Sequence, residues 1–167
     1  MNAQARPPFA MRPYLPVDAP FLADIFRLSI EELTGDDYNE DQQRAWAEIA
    51  DDVEKFAARL SKELVLVATL GGDPVGFIAL EGKDRIDYLY VHPAAARQGV
   101  GTMLCDAIEK LAGARGATKL TADVSDSAQD FFKARGYEAQ QRNTVQRAGE
   151  WLTNTTMDKK LPEKGKA

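Results

Sequence analysis

The feature that most constrains this chain is a strand that enters a short glycine-bearing loop and leaves it as an amphipathic helix. Leu89-Tyr90-Val91 leads to His92-Pro93, where proline stops the strand. Arg97-Gln98-Gly99-Val100-Gly101-Thr102 then opens a helix whose Val100, Leu104, Ala107, Ile108 and Leu111 share one face. Glycines let backbone N–H groups approach a phosphate closely, and a helix N-terminus carries about half a positive charge. Arg97 can add a charge-assisted contact to the same anion. The loop is therefore a candidate pyrophosphate cradle, with a structural turn as the plainer alternative. A dinucleotide fingerprint is excluded because the third glycine position holds Leu104, and the Gly-Lys-Ser/Thr of a nucleotide phosphate loop is absent.

The flanking segments supply a mixed frame. Ala10 to Tyr14 predicts a short first strand, and Asp18 is placed to cap a helix carrying Leu22, Ile25, Phe26, Ser29 and Leu33 at helical spacing. A second helical stretch from Glu40 to Leu60 carries Trp46, Ile49, Val53 and Phe56, with a break expected near Asp51-Asp52. The apolar run Leu64 to Leu70, the turn Gly71-Gly72-Asp73-Pro74 and the run Val75 to Leu80 predict an antiparallel hairpin. Asp87 to Val91 is the next strand. The helix after the glycines ends at Gly113 or Gly116, and Lys119 to Ser125 alternates as a half-buried strand does. A short helix from Ser127 to Arg135, with Gly136 as its cap, precedes two strands near Tyr137–Arg147 and Trp151–Met157 around Ala148-Gly149. The order β-α-α-β-β-β-α-β-α-β-β predicts an α/β or α+β domain over residues 11–158. Residues 1–10 are expected to be a flexible segment, and the polar tail 159–167 is expected to fray.

Composition narrows the function. The chain has 167 residues and a net charge of −5, which argues against nucleic acid or an anionic membrane as the main partner. No apolar run approaches the ~20 residues of a membrane span, and the first ten residues lack a signal-peptide core, so a cytoplasmic location is expected. One cysteine, Cys105, and one histidine, His92, leave no basis for a disulfide framework, a metal site or a serine-hydrolase triad. Cys105 reads as a small buried hydrophobe and His92 as loop decoration.

Two segments together resemble the GNAT superfamily of N-acetyltransferases. Val91, Pro93, Gly99, Val100, Gly101 and Leu104 match that family's first signature, a strand ending Val-x-Pro, the loop and an amphipathic helix. Its second signature is echoed by Ser125, Ala128, Phe131, Phe132, Gly136 and Tyr137. Within the family the likeness is to the YafP-like branch, through Asp37-Tyr38, Gln43-Arg44-Ala45-Trp46 and Gly149, Trp151, Thr153, Asn154 and Met157. The resemblance implies a GNAT fold, a mixed sheet of six to seven strands flanked by about four helices. It also implies acetyl-CoA as cosubstrate, lying in a V-shaped gap between Asp87–Val91 and Lys119–Ser125, and an amine acceptor that attacks the thioester directly. Carried over, Leu89, Tyr90 and Val91 contact pantetheine, and Arg97, Gln98, Gly99, Val100, Gly101 and Thr102 hold the pyrophosphate. Ser125, Phe131 and Phe132 complete the cofactor site.

Three departures bear on catalysis. Ala96 stands where the family usually has Arg or Gln, so Arg97 and Gln98 are left to supply side-chain contacts. Ser125 replaces the usual Asn. Phe132 replaces the tyrosine that often protonates the departing CoA thiolate, and phenylalanine has no proton to give. Tyr88, Tyr137 or water is left for that task. Asp87 is the first candidate for the base, a salt-bridged strand carboxylate being its competing explanation, and Glu81 and Asp84 are candidates through a water. Tyr38 and Trp46 are candidates for the acceptor pocket, with core packing as the alternative. Residues 31–54 hold ten acidic side chains against Arg44 alone, either a solvated helical face or an anionic rim for a cationic acceptor. A non-catalytic acyl-CoA sensor, a binding module in a larger assembly and a homodimer through the last strands stay open.

Overall fold

The structure is a computed structural model and describes residues 9–163. Seven strands form one sheet in the order β1-β2-β3-β4-β5-β7-β6. They are β1 (Phe9–Pro13), β2 (Leu64–Leu70), β3 (Asp73–Glu81), β4 (Arg85–Val91), β5 (Lys119–Ser125), β6 (Glu138–Arg147) and β7 (Glu150–Lys160). The β4–β5 pair is parallel and all others are antiparallel. Five helices cover the sheet: α1 (Ala19–Leu33), α2 (Glu40–Ala47), α3 (Val53–Leu60), α4 (Val100–Ala114) and α5 (Gln129–Ala134).

The continuous apolar runs in β2 and β3 follow from burial on both faces. Val65, Val67, Phe77 and Ala79 face α1 and α3, packing on Leu22, Phe26, Ile30, Phe56 and Leu60. Leu66, Ala68, Ile78 and Leu80 face α4 and meet Leu104, Cys105 and Ile108. Each large side chain buried this way contributes roughly 1.5–3 kcal/mol.

The helical stretch expected over Glu40–Leu60, with a break near Asp51-Asp52, is two helices separated by a 3-10 turn at Glu48–Ala50 and by Asp51-Asp52. Each half has its own cap. Asn39 and Gln42 form a reciprocal capping box, and the Asp52 carboxylate accepts the Lys55 N–H at 3.1 Å. Asp18, expected to cap α1, does something else. It is buried, takes two hydrogen bonds of 2.8 Å from Arg12, and accepts the Leu15 N–H at 2.7 Å.

The ordered ends run further than expected. Phe9 and Ala10 pair with Leu70 and Thr69, and Lys159 and Lys160 extend β7 along β5. Leu161 is buried and donates its N–H to the Thr118 carbonyl at 2.8 Å. Residues 1–8 and 164–167, the remainder of the expected flexible ends, lie outside the described residues.

Candidate active site

The sheet forks where β4 and β5 part. They pair only at Arg85↔Thr121 and Ile86↔Ala122, and the next residue of β4, Asp87, is an extra one. The β3–β4 register passes from Leu80↔Ile86 to Ala79↔Tyr88, leaving Asp87 unmatched in a β-bulge. Bulges bend a strand and re-aim a side chain. Beyond this one, the β5-facing edge of Asp87–Val91 has no ladder partner, so its main-chain groups border the fork.

At the far end of β4 the chain turns into the glycine loop. The Ala94 N–H donates to His92 Nδ1 at 3.0 Å, and Gln98 Nε2 donates to the Ala94 carbonyl at 3.2 Å. His92 thus braces the turn, whereas Gln98, expected to contact the pyrophosphate, is bonded back into the loop. Arg97 sits at φ 63° and Gly99 at φ 89°. Glycine holds the left-handed region at little cost, while an arginine there is strained. The first bond of α4 runs from the Met103 N–H to the Gly99 carbonyl at 3.0 Å. The amides of Val100, Gly101 and Thr102 therefore precede the helical ladder and are open to an anion. A Cβ on Gly101 would lie 3.3 Å from the Phe131 ring.

A cavity of about 470 Å³ runs from this loop to the fork. Leu89, Tyr90, Val91, Arg97, Gly99–Thr102, Ser125, Ser127 and Phe131 line it, with Thr34 and Trp46 on the α1–α2 side. A second cavity of about 220 Å³ lies on the other side of the fork, between α2, β4, β5 and the β6–β7 hairpin. Both are lined by Trp46, Leu89, Tyr90, Ser125 and Ala128, so they adjoin at the fork, and the two together are called the passage. Tyr38, Ile49, Asp87, Asp123, Phe132, Val145, Arg147, Thr153 and Asn154 belong to the second end. Phe132, expected in the cofactor site, lines this second cavity and not the first.

Tyr38 ties that end together. Its hydroxyl donates to the Thr153 carbonyl at 2.7 Å and accepts the Asp126 N–H at 2.9 Å, and its ring meets Trp46 edge-on at 5.3 Å. Trp46 in turn packs against Tyr90 at 6.4 Å. The hairpin is held further by Gln42 Nε2 donating to the Trp151 carbonyl at 2.8 Å.

Among the candidates for proton transfer, Asp87 alone reaches the passage. Arg59 clamps it through Nε at 2.9 Å and Nη2 at 2.7 Å. The salt bridge and the position at the apex therefore coexist. Tyr88 faces the α1–α3 core and lines neither cavity; burial pushes its hydroxyl up to about 12. Tyr137 lies on the α4 face, donating to Glu109 Oε2 at 3.0 Å and packing edge-on against Phe132 at 5.0 Å. Burial first, and the Glu109 carboxylate next, raise its hydroxyl. It lines neither cavity. Glu81 pairs with Arg85 at 3.5 Å, and neither it nor Asp84 lines the passage. Cys105 is fully buried, and burial pushes its thiol up to about 12. Burial works to raise Asp123, but hydrogen bonds from Thr156 and Arg85 outweigh it and hold the carboxyl low.

Several residues of this site had no signal in the sequence. Arg59 sits on α3, 28 positions before Asp87, with nothing local to link them. Glu63, in the turn after α3, has a 4% exposed side chain beside Arg59 and Asp87. Arg147 enters from the hairpin, as does Asn154, which the sequence marks only as part of the YafP-like pattern. The acidic stretch divides its work: Asp52 caps α3, Asp37 accepts the Ser127 hydroxyl at 2.8 Å, Asp41 pairs with Arg44 at 3.2 Å, and Glu31, Glu32 and Glu40 are exposed. Among the described residues no group of three or more metal-ligating side chains could hold an ion, and no helix is long and apolar enough to cross a membrane.

The site thus comprises a strand fork, a glycine loop at a helix N-terminus and two adjoining cavities. Residues 34–161 match the family described as an acetyltransferase (GNAT) domain. The chain belongs to the GNAT family and is an N-acetyltransferase. It is 33% identical over 147 residues to YafP, an uncharacterized N-acetyltransferase of Escherichia coli (strain K12), covering 88% of this chain and 93% of that one. A GCN5-related N-acetyltransferase from Rhodopseudomonas palustris, described in its crystal structure as "Aminotransferase, Class-II", is 61% identical. Its TM-score is 0.90, over 96% of this chain and 99% of that chain. The PaiA N-acetyltransferase from Thermoplasma acidophilum, solved with coenzyme A, shares the fold with a TM-score of 0.76 at 20% identity, over 91% and 98% of the two chains.

Proposed function

We propose that the protein transfers an acetyl group from acetyl-CoA to an amine by direct attack within a ternary complex. The observation that carries this is the pair of cavities adjoining at the fork, one lined by the glycine loop with its free helix N-terminal amides and the other lying between α2, β4, β5 and the β6–β7 hairpin. In this reading the pyrophosphate lies over the amides of Val100–Thr102 with Arg97 beside it. The pantetheine runs along Leu89–Val91 and Ser125, and the thioester reaches the fork. The amine enters past Tyr38 and Trp46, and a β4 N–H supports the developing oxyanion. Asp87 is the group placed to take the amine's proton. Holding both reactants in one channel supplies the orientation that a bimolecular acyl transfer lacks in water. No covalent enzyme intermediate is needed.

The cytoplasm, where acetyl-CoA is at hand, belongs to the same proposal. Release of free CoA on adding a panel of primary amines and amine-bearing peptides tests it. Acetyl-CoA that neither binds, by thermal shift, nor turns over would overturn it. A second reading, a sensor that binds acyl-CoA without turnover, is favoured by Phe132 alone. Saturable acetyl-CoA binding with no CoA release across the panel would select it.

A further inference from the structure

Glu63 is a buried acid for which the fold has no evident structural use. Its side chain is 4% exposed, and Arg59 Nε is 3.8 Å from Oε2, too far for a hydrogen bond. Its Oε1 is buried with no N–H or O–H donor in reach. The neighbour it can bond is Asp87, itself a carboxylate clamped by both ends of the Arg59 guanidinium. Two carboxylates side by side resist ionising together, so the pair holds one proton at low pH and gives it up only above the ordinary carboxylate range, leaving both ionised in its basic form. The remaining charged and titratable groups around Glu63 are Glu81 on β3 and Tyr88 on β4. Glu81 is offset by Arg85, at 3.5 Å.

We propose that Glu63 is a positioning residue for proton removal: lying behind Asp87, it forms with it a two-carboxylate unit, clamped by Arg59, that takes up the proton leaving the acceptor nitrogen. This rests on acetyl transfer with Asp87 facing the amine. In the step, an N–H bond breaks, either in the bound ammonium before its nitrogen attacks or in the adduct that a neutral amine forms, and the electron pair stays on nitrogen. The proton bonds to an Asp87 oxygen and is shared with Glu63. The cluster, counting Arg59, passes from charge −1 to neutral, and the proton returns to solvent when product leaves. The second carboxylate is what raises the proton affinity of the unit. Burial first, and the Asp87 carboxylate next, push Glu63 up to about 8, which fits a base working near neutral pH.

The test compares kcat/KM against pH for the wild-type chain, Glu63→Gln and Asp87→Asn with one amine, so that the amine's own ionisation cancels. The wild type should show a limb levelling near pH 8. Both variants should lose that limb and drop roughly ten- to hundredfold at pH 9, with KM for acetyl-CoA unchanged. A limb that persists in Glu63→Gln overturns the proposal, since a merely structural residue would lower the rate without moving it. Carboxyl ¹³C NMR of the wild-type chain gives a readout free of variants and turnover. A glutamate titrating above pH 7 is expected; its absence in a chain that turns over normally defeats the Glu63 assignment alone. A chain that shows this titration and binds acetyl-CoA but acetylates no amine defeats the transfer reading, and the role in proton removal with it.

Discussion

Gly101 shows how one missing Cβ shapes the site. Its amide is among those that precede the α4 ladder, and the space a methyl would need is bounded by Phe131 at 3.3 Å. Gly101→Ala should raise KM for acetyl-CoA about tenfold, equivalent to ~1.4 kcal/mol. Alanine also favours a helix over glycine by about 0.5–1 kcal/mol, so Tm should not fall in parallel. Isothermal titration and a melting curve separate the two effects. Glu63 makes a residue-scale prediction of opposite character. Its folded value, about 8, lies above its ordinary 4.5, so between these pH values the folded chain binds more protons than the unfolded one. Stability from this group is full below about pH 4.5 and is lost as pH rises toward 8. Glu63→Gln should flatten the decline of Tm over that window; an unchanged slope would show that Glu63 does not titrate there. At this scale the sequence was legible where chemistry is local. Gly99 and Gly101 sit in one loop and Phe132 in one motif. Arg59, Glu63 and Asp87 were not legible as a group, because nothing in a linear pattern reveals which α3 side chain will meet a bulge in β4.

Among elements, α2 and the β6–β7 hairpin form the wall of the acceptor end, and Tyr38 is the pin between them. Its hydroxyl satisfies both the Thr153 carbonyl and the Asp126 N–H. Tyr38→Phe leaves both groups without that partner and should cost about 1–3 kcal/mol. At this chain length that is a fall in Tm of several degrees, readable by calorimetry, with KM for the amine rising more than KM for acetyl-CoA. Elements were the most legible level of the structure. The shift from helical to strand periodicity after Leu60 and the terminating role of Pro93 follow from backbone sterics that act within a few residues. Misses occurred where a long-range partner overrode a local rule. Asp18 would cap α1 had Arg12 not bound it, and Lys159 would be loose were it not tied to Glu109 Oε1 at 2.8 Å. The break expected near Asp51-Asp52 is present: both residues lie between α2 and α3, after the turn at Glu48–Ala50, and Asp52 caps the restart.

For the whole molecule, the fork divides the sheet into β1–β4 on one side and β5, β7 and β6 on the other, joined by two rungs of pairing. Each group of strands carries part of the cavity proposed for the acceptor: Asp87 and Tyr90 come from the first, and Ser125, Arg147 and Thr153 from the second. The order in which the two substrates bind follows from that division. A cosubstrate lying in the fork would bridge the two groups and fix their spacing, whereas an amine arriving first would meet a pocket whose walls are not yet held in register. Product inhibition should therefore show CoA competing with acetyl-CoA but not with the amine. Calorimetry should detect amine binding only once CoA is present. Amine binding of equal strength with and without CoA would show that the two rungs alone hold the pocket closed.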